Sequence, residues 1–287
     1  MNGIVPLNKA AGVLSRKVGN AVSFLYGEKK HGHAGTLDPL AQGVLPILLG
    51  RATKLIPFLD DEKIYVADLR FGVSTDTGDN TGIEQKRSDF RPKRSDFEAI
   101  LPQFMGEITQ IPPIFSALKK DGRPLYDYAR KGQAVEIAPR QAIITDLTLN
   151  AFDGECATLT VSCKTGTYIR TLIEDMAAAC GALATMTGLR RVKASGIDLS
   201  QCATVEQMEQ GARPLIEVEE LFAQRAACVV DDPGRHYLLN GGRLTPQRFS
   251  GDARGLFRAY DSDGQFLGLC LETEGEVACV WMDKCYE

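Results

Sequence analysis

The chain has 287 residues, 44% of them hydrophobic and 24% charged, and a formal net charge of −4 at pH 7. These values are ordinary for a folded protein with one large domain and one small one. No apolar run approaches the ~18 residues that span a bilayer, and no basic flank precedes an apolar stretch at the N-terminus, so we expect a cytoplasmic protein without a membrane span.

The cysteines and histidines argue against a disulfide framework or a metal centre. All eight cysteines lie at position 156 or later, none of them forms a C-x-x-C pair, and the chain has three histidines. Zinc sites and disulfide frameworks show closer, patterned spacing. We therefore expect reduced thiols that pack as small apolar residues, and no bound metal.

Positive charge is concentrated in the first two thirds of the chain. Residues 1–200 hold 25 Lys and Arg against 22 Asp and Glu, whereas residues 201–287 hold 8 against 15. Basic pairs recur in the first part, namely Arg16/Lys17, Lys29/Lys30, Lys119/Lys120, Arg130/Lys131 and Arg190/Arg191. A single pair is usually solvated surface, but five of them favour a polyanionic ligand such as a nucleic acid.

The stretch HGHAGTLDPLAQG (31–43) is a glycine-rich loop with one carboxylate, Asp38, at its centre. Proline disfavours the helical region for the residue before it and fits the first position of a helix. Asp38 before Pro39 is therefore typical of an N-cap whose carboxylate accepts backbone N–H bonds. The alternative is a functional carboxylate, and His33 in the same loop belongs to that alternative.

Alternating apolar and polar residues predict strands in the middle of the chain. In KIYVADLRFG (63–72), Tyr65 shares one strand face with three apolar residues, and CATLTVSC (156–163) alternates in the same way. The segment Ser95 to Glu98 predicts a capping box that opens a helix, and a second helix is predicted over 171–182. Since these elements follow no βαβ rhythm, we predict an α+β fold with a mixed, largely antiparallel sheet flanked by helices.

Two further segments combine aromatic and basic residues. IPPIFSALKKDGRPLYDYARKG (111–132) has a proline pair, then an Asp-Gly turn signal and a helix-like stretch with Tyr126 and Tyr128. In GTYIRTL (166–172), Tyr168 and Arg170 point the same way if the segment is extended. An arginine pairs with a carboxylate or phosphate and a tyrosine offers a stacking face, so this pair suits a base held beside an ionised aspartate.

The composition and the hydrophobic pattern of the sequence change beyond residue 200. The stretch 217–224 reads as an acidic helix, and residues 255–282 contain short strands bounded by DSDG and ETEG turns. We therefore predict a large domain over 1–225 and a small β-rich domain over 226–287.

Five motifs of this sequence, in their order and spacing, resemble the TruB-type tRNA pseudouridine synthases: GHAGTLDPLAQG, KIYVADLRFGVSTDTGD, IPPIFSALKKDGRPLYDYARKG, SCKTGTYIRTLIEDM and TGLRRVKASG. The resemblance covers roughly residues 3–200. It implies a pseudouridine-synthase-like catalytic domain with a thumb-like RNA-binding loop at about 113–141, and a small C-terminal PUA-like domain. It also implies isomerisation of uridine 55 in the T-arm of tRNA, without a cofactor, a membrane or an obligatory protein partner, by a monomer.

The resemblance assigns roles to individual residues. Asp38 matches the catalytic aspartate, Arg170 matches the arginine that pairs with it, and Tyr65 is a third catalytic residue that could also relay the proton lost from C5. The residues expected to bind substrate are His33, Tyr65, Tyr168, Leu189, Lys9 and Lys119. The N-terminal motif KAAGVLS departs from the family pattern at Ala10 and Leu14.

Rival functions come from other classes. A non-catalytic RNA chaperone would keep the basic surface but would not need Asp38 and Arg170 together. A glycoside hydrolase needs two catalytic carboxylates, and the acidic cluster 60–62 reads instead as a solvated turn. An RNA-guided relative in a protein complex is a third possibility, although this chain has no extended basic tail.

Overall fold

The computed structural model describes residues 1–283. The elements of its first half are β1 (Gly3–Lys9), α1 (Ser15–Leu25), β2 (His31–His33), β3 (Gln42–Leu49), a 3-10 helix (Gly50–Phe58), β4 (Glu62–Phe71), β5 (Val73–Thr75), β6 (Glu84–Arg87), α2 (Arg94–Ile100), a 3-10 turn (Leu101–Phe104), β7 (Gly106–Gln110), β8 (Lys119–Lys120), β9 (Arg123–Pro124) and α3 (Leu125–Arg130).

The elements of its second half are β10 (Arg140–Phe152), β11 (Cys156–Lys164), α4 (Ile169–Ala179), β12 (Ala184–Ala194), β13 (Ile197–Asp198), a 3-10 turn (Leu199–Gln201), α5 (Val205–Glu209), α6 (Val218–Leu221), β14 (Ala227–Val230), α7 (Asp232–Leu239), a 3-10 turn (Pro246–Arg248), β15 (Phe249–Ser250), β16 (Leu256–Tyr260), β17 (Phe266–Thr273) and β18 (Glu276–Met282). None of the helices in residues 1–283 is long and apolar enough to cross a bilayer.

The large sheet has the strand order β1-β3-β12-β4-β11-β10-β7, with β2 added beside β3 and β13 beside β12. Every pair in it is antiparallel except β3 with β12. A second sheet of five strands, β15-β14-β16-β17-β18, begins at Ala227. The predicted α+β class and β-rich C-terminal region are therefore confirmed.

The centre of the large sheet positions Tyr65. The alternation predicted for this strand is confirmed, because positions 63, 65, 67, 69 and 71 of β4 are buried while those between them are not. Tyr65 lies opposite Val161 on β11 and opposite Arg191 on β12. The face that carries Tyr65 packs against α4, whose Leu172, Ile173 and Met176 belong to the same core.

Two local predictions are wrong at helix starts. α2 begins at Arg94, and the Ser95–Glu98 capping box is absent because Arg94 Nε binds Glu98 Oε1 at 2.7 Å while Ser95 Oγ donates to Asp96. The segment 166–172 is not extended, since α4 begins at Ile169 and ends at Ala179 rather than running over 171–182.

A tertiary contact starts α4 early. The buried amide of Gln110 accepts a bond from Tyr168 N at 3.0 Å and donates to Tyr168 O at 3.2 Å. Such a contact between β7 and a residue 58 positions later leaves no local signal in the sequence. The acidic stretch 217–224 is helical only over Val218–Leu221.

The C-terminal sheet packs on the large one. Trp281 and Leu269 share a core with Leu48 of β3 and with Ala52 and Leu55 of the 3-10 helix at 50–58. The seven cysteines among residues 1–283 are free thiols, and Cys285 lies outside the described residues. Cys163, Cys228 and Cys270 are buried, whereas Cys156 is exposed and does not pack as expected.

Candidate active site

A cavity of about 240 Å³ opens on the centre of the large sheet. Five segments line it: the loop 35–38, positions 63 and 65 of β4, residues 116–118, the turn 165–170 that leads into α4, and Leu189 of β12. Segments that are distant in sequence meet here because β4 lies between β11 and β12.

Asp38 forms an ion pair with Arg170 in this cavity, with Nε and Oδ2 2.9 Å apart. The Arg170 side chain is 5% exposed and that of Asp38 is 33% exposed, so the carboxylate faces the opening. The guanidinium also donates to Thr77 O at 2.7 Å and to Phe115 O at 2.9 Å. Arg170 therefore ties the loop, α4 and the base of the predicted thumb into one geometry.

The N-cap interpretation of Asp38 is wrong. No helix follows Pro39, since residues 36–41 lie in irregular structure before β3. The backbone carbonyl of Asp38 accepts from Ala41 N at 3.1 Å in a tight turn. This turn leaves the carboxylate free to reach Arg170.

The environment of Asp38 favours protonation more than water does. Burial raises the pKa of Asp38 above its ordinary value of 3.8, with a further upward contribution from Asp79. Arg170 opposes this shift by charge and by hydrogen bonding, and Lys9 adds a smaller opposing effect. The ion pair thus keeps the ionised form accessible in a site that would otherwise disfavour it.

Aromatic and apolar side chains complete the walls. Tyr65, Tyr168 and Leu189 all line the cavity with Asp38. Burial raises the pKa of Tyr65 above 10, so its hydroxyl is neutral at physiological pH. The guanidinium of Arg191 lies 6.0 Å from the centre of the Tyr65 ring, within the range of a cation–π contact. The rings of Tyr65 and Tyr168 therefore offer a planar substrate ring a stacking surface beside the Asp38 carboxylate.

Lys9 does not reach the cavity. It is 0% exposed, and its ammonium donates to the carbonyls of Ala10, Pro39 and Ala41 at 3.0, 3.2 and 2.6 Å. Burial lowers the pKa of Lys9 to about 8. This geometry does not support the expected substrate-binding role of Lys9, because every proton of the ammonium is directed at a backbone carbonyl. Lys9 positions the loop that carries Asp38.

The rest of the KAAGVLS motif anchors the same loop. Gly12 N donates to Pro39 O at 2.7 Å, and the Ser15 hydroxyl donates to Leu37 O at 2.7 Å and accepts from Leu37 N at 3.0 Å. Ala10 and Leu14, where the motif departs from the family pattern, contribute no side-chain hydrogen bond to this anchoring. The departure therefore leaves the position of Asp38 intact.

His33 and Lys119 lie beyond the cavity wall. His33 ends β2, opposite Ile47, and burial together with Arg191 lowers its pKa, so the ring is neutral at pH 7. Lys119 is exposed in a two-residue hairpin whose turn, Asp121-Gly122, has positive φ values of 51° and 78°. The structure brings neither residue into contact with Asp38.

Three residues of the site were not predicted from the sequence. Lys63 lies two positions before Tyr65 and therefore on the same strand face. The alternation that predicted this strand could have identified Lys63 as a neighbour of Tyr65. Arg191 belongs to one of the basic pairs that favour a polyanionic ligand, yet it is 0% exposed and donates to Val44 O at 2.7 Å and Gly35 O at 2.9 Å. No pattern in the sequence around Gln110 indicates its contact with Tyr168.

Comparison with known proteins agrees with this geometry. Residues 23–169 match the model of the TruB family pseudouridylate synthase N-terminal domain. The tRNA pseudouridine synthase B of Methylobacillus flagellatus is 39% identical over 285 residues, which cover 97% of this chain and 94% of that protein. The enzyme of the same name from Pseudomonas aeruginosa is 45% identical over 73% of this chain and 69% of that protein.

Solved structures agree on the fold. A chain of a Cbf5-Nop10-Gar1 complex superposes with a TM-score of 0.73 at 21% identity, covering 98% of this chain and 84% of that chain. A chain of an H/ACA RNP bound to a substrate RNA containing 2′-deoxyuridine gives a TM-score of 0.69 at 22% identity, covering 99% and 85%. Fold, site and sequence place the protein among the pseudouridylate synthases. The chain belongs to the TruB family.

Proposed function

We propose that this protein converts uridine to pseudouridine at position 55 in the T-arm of tRNA, acting as a single chain in the cytoplasm and without a cofactor. The observation that carries the proposal is the Asp38–Arg170 ion pair, 2.9 Å long, in a cavity whose walls include Tyr65 and Tyr168. The close relatives that bear the name tRNA pseudouridine synthase B support tRNA as the substrate.

The reaction breaks the N1–C1′ bond of uridine, turns the base and rejoins it through C5. Asp38 either attacks C1′ or removes a sugar proton to give a glycal, and both routes need its carboxylate ionised. Arg170 holds that carboxylate in place and favours its charged form. Since the reaction transfers no electrons and uses no group donor, the side chains of this cavity suffice.

The base must leave the folded T-arm to reach Asp38. Flipping costs a few kcal/mol of unstacking, which stacking on aromatic side chains and phosphate contacts offset. In this proposal Tyr65 and Tyr168 hold the flipped uracil against Leu189, and the neutral ring of His33 fills the vacated stack. The exposed hairpin with Lys119, within the thumb-like segment at 113–141, contacts the RNA backbone.

A glycoside hydrolase is a poorer fit to this site. Of the described residues that line the cavity, Asp38 is the only carboxylate, whereas such enzymes pair two. The acidic cluster at 60–62 lies outside this lining, and its Asp61 is paired with Lys164 at 2.7 Å. A non-catalytic RNA chaperone would gain nothing from an ion pair buried in a cavity.

The test is an incubation of the protein with an unmodified tRNA transcript, followed by carbodiimide treatment and primer extension. We expect one new stop, directly 3′ of position 55, which is absent with a transcript carrying cytidine at 55 and absent with the Asp38→Asn variant. Pseudouridine at another position would contradict the assigned specificity. A transcript that stays unmodified by folded, tRNA-binding protein would contradict the proposed activity.

A further inference from the structure

Lys63 is a cation in the cavity wall that the reaction as described leaves unused. It is 8% exposed and lines the cavity with Asp38 and Tyr65. Its ammonium donates to Thr165 Oγ1 at 3.0 Å, the single hydrogen bond that it makes within residues 1–283. The Thr165 hydroxyl in turn donates to Asp61 O at 3.1 Å, which fixes the acceptor. An ammonium has three protons, so two remain directed elsewhere.

The other cations near the site are already engaged. Arg170 is held by Asp38 and two carbonyls. Arg191 is fully buried and donates to two carbonyls of the strand and loop beneath Tyr65. Lys9 uses all its protons on the loop. Lys63 is therefore the cation of the described site that can bind a substrate.

The position of Lys63 favours the base over a phosphate as its partner. Lys63 and Tyr65 are two residues apart on β4, so their side chains leave the same strand face about 7 Å apart. A Cβ atom on Gly35 would lie 3.1 Å from the ammonium, which therefore packs against the backbone of the Asp38 loop. Since Lys63 is also nearly buried, it meets the part of a flipped nucleotide that enters the cavity, which is the base.

We propose that Lys63 is a further catalytic residue, which donates a hydrogen bond to a carbonyl oxygen of the flipped uracil and stabilises the negative charge that the base acquires when the glycosidic bond breaks. This inference rests on the proposed function and adds a residue to it.

The charge balance of the step explains the need for a cation. When the N1–C1′ bond breaks, its electron pair remains on the uracil and spreads from N1 onto the carbonyl oxygens. C1′ is taken by the Asp38 carboxylate, or C2′ gives a proton to it. Lys63 keeps its protons throughout. When C5 bonds to C1′, the Asp38 oxygen leaves C1′, or the proton that it took returns to C2′. The proton lost from C5 passes to N1 with the Tyr65 hydroxyl as relay, and Lys63 then releases a neutral base. A donor aimed at charge that develops in the transition state speeds the reaction.

The groups around Lys63 set its titration. Burial lowers the pKa of Lys63 to about 8, with a further lowering by Arg191 on β12. Asp61 and Cys163 on β11 oppose this, although burial raises the pKa of Cys163 to about 11, so its thiol is neutral below that pH. Lys63 is thus charged at neutral pH and loses its charge as pH rises through about 8.

The first test uses the unaltered protein. Single-turnover rates with saturating enzyme and unmodified tRNA should fall as pH rises through about 8, while tRNA affinity at constant ionic strength stays within about twofold. The pKa of Lys9 is also about 8, so variants are needed to show which of the two lysines causes the fall in rate.

The variants are Lys63→Met and Lys63→Arg, with Lys164→Met as the matched control. Lys164 lies next to this region on β11, but it is only half-buried and is paired with Asp61. We expect Lys63→Met to slow the single-turnover rate about 100-fold or more at pH 7, with tRNA affinity and the thermal unfolding midpoint unchanged. Lys63→Arg should keep much of the rate. Its rate should no longer fall as pH rises through about 8, because arginine stays charged there. Lys164→Met should match the parent.

A Lys63→Met single-turnover rate within about threefold of the parent at pH 7 would overturn the role of Lys63. This result requires a parent protein that forms pseudouridine. If the parent itself forms none in the same assay, the proposed function fails first, and the two failures are thereby distinguished.

Discussion

At the scale of single residues, the site depends on the Asp38 carboxylate, whose ionised form is disfavoured by burial and favoured by Arg170. Asp38 is placed by three anchors from the KAAGVLS motif and held from the other side by Arg170. Its raised pKa means that the ionised form costs folding free energy at neutral pH. Function and stability therefore make opposite demands on this residue.

Asp38→Asn should reduce the single-turnover rate at least a thousandfold, about 4 kcal/mol of transition-state stabilisation, because the amide keeps the shape without the charge. Affinity for tRNA should be unchanged. The folded protein binds a proton at Asp38 more tightly than the unfolded chain does, so between the two pKa values stability falls as pH rises. The variant should thus be as stable as the parent at pH 7 or more so, measured by thermal unfolding. More than a tenth of parent activity would contradict this role.

Arg170→Lys should slow the single-turnover rate about a hundredfold although the charge is kept. The guanidinium reaches Asp38 and the carbonyls of Thr77 and Phe115 from three separate nitrogens, whereas an ammonium is a single compact charge that cannot span acceptors placed around a planar fork. A displacement of the carboxylate by 1 Å costs about that much. The acid limb of the rate should also move to higher pH, since a weaker partner raises the pKa of Asp38 further. A rate within threefold of the parent would rule out the pairing.

At the scale of elements, β7 controls where α4 begins through Gln110. Gln110→Ala removes both bonds to the Tyr168 backbone and leaves buried groups unpaired, which costs about 1–3 kcal/mol. Tyr168 and Arg170 should then shift, so we expect a lower unfolding midpoint together with a slower single-turnover rate. Gln141→Ala is the control, because Gln141 is exposed and bonds only to Thr109 among the described residues. Equal effects of both variants would contradict the capping role.

The exposed hairpin of β8 and β9 is the element expected to bind RNA phosphates. Replacing Lys119, Lys120 and Arg123 by Ala should weaken tRNA binding and lower the slope of log affinity against log salt, since each phosphate contact releases counterions. The same charge change in the C-terminal region, at the exposed Arg243, Arg248 and Arg254, is the control and should leave the slope nearly unchanged. Binding isotherms at several salt concentrations decide this, and an unaltered hairpin slope would exclude the hairpin from the interface.

The elements that sequence patterns could predict are those whose signal is local. Period-2 alternation identified β4 and with it Tyr65, and the Asp-Gly dipeptide identified the β8–β9 turn. The start of α4 and the burial of Arg191 depend on partners more than 50 residues away, so no local pattern contained them. Lys9 was assigned by resemblance alone, which cannot tell a residue that touches substrate from one that supports the loop beside it, whereas His33 was also indicated by its place in the glycine-rich loop.

At the scale of the whole molecule, the C-terminal sheet is not an independent appendage. Its Leu269 and Trp281 complete a core with Leu48 and Leu55 of the large domain. The predicted division at 225/226 therefore separates the strands of the two sheets, but it does not mark a solvated linker between two independent domains. Removing residues 226–287 would expose this apolar surface, although every residue assigned to the active site lies before position 200.

Trp281→Ala should therefore separate stability from catalysis. Truncating a buried tryptophan costs about 3–5 kcal/mol, here at the contact between the two sheets, and Phe266, whose ring centre lies 6.3 Å from that of Trp281, loses a stacking partner. We expect a clearly lower unfolding midpoint but a single-turnover rate within about twofold of the parent at a temperature where the variant is folded. Tyr237→Ala is the control, because Tyr237 is an exposed aromatic of the same C-terminal region. If the variant kept the parent midpoint and lost its rate, Trp281 would act on the active site and not on the packing of the two sheets.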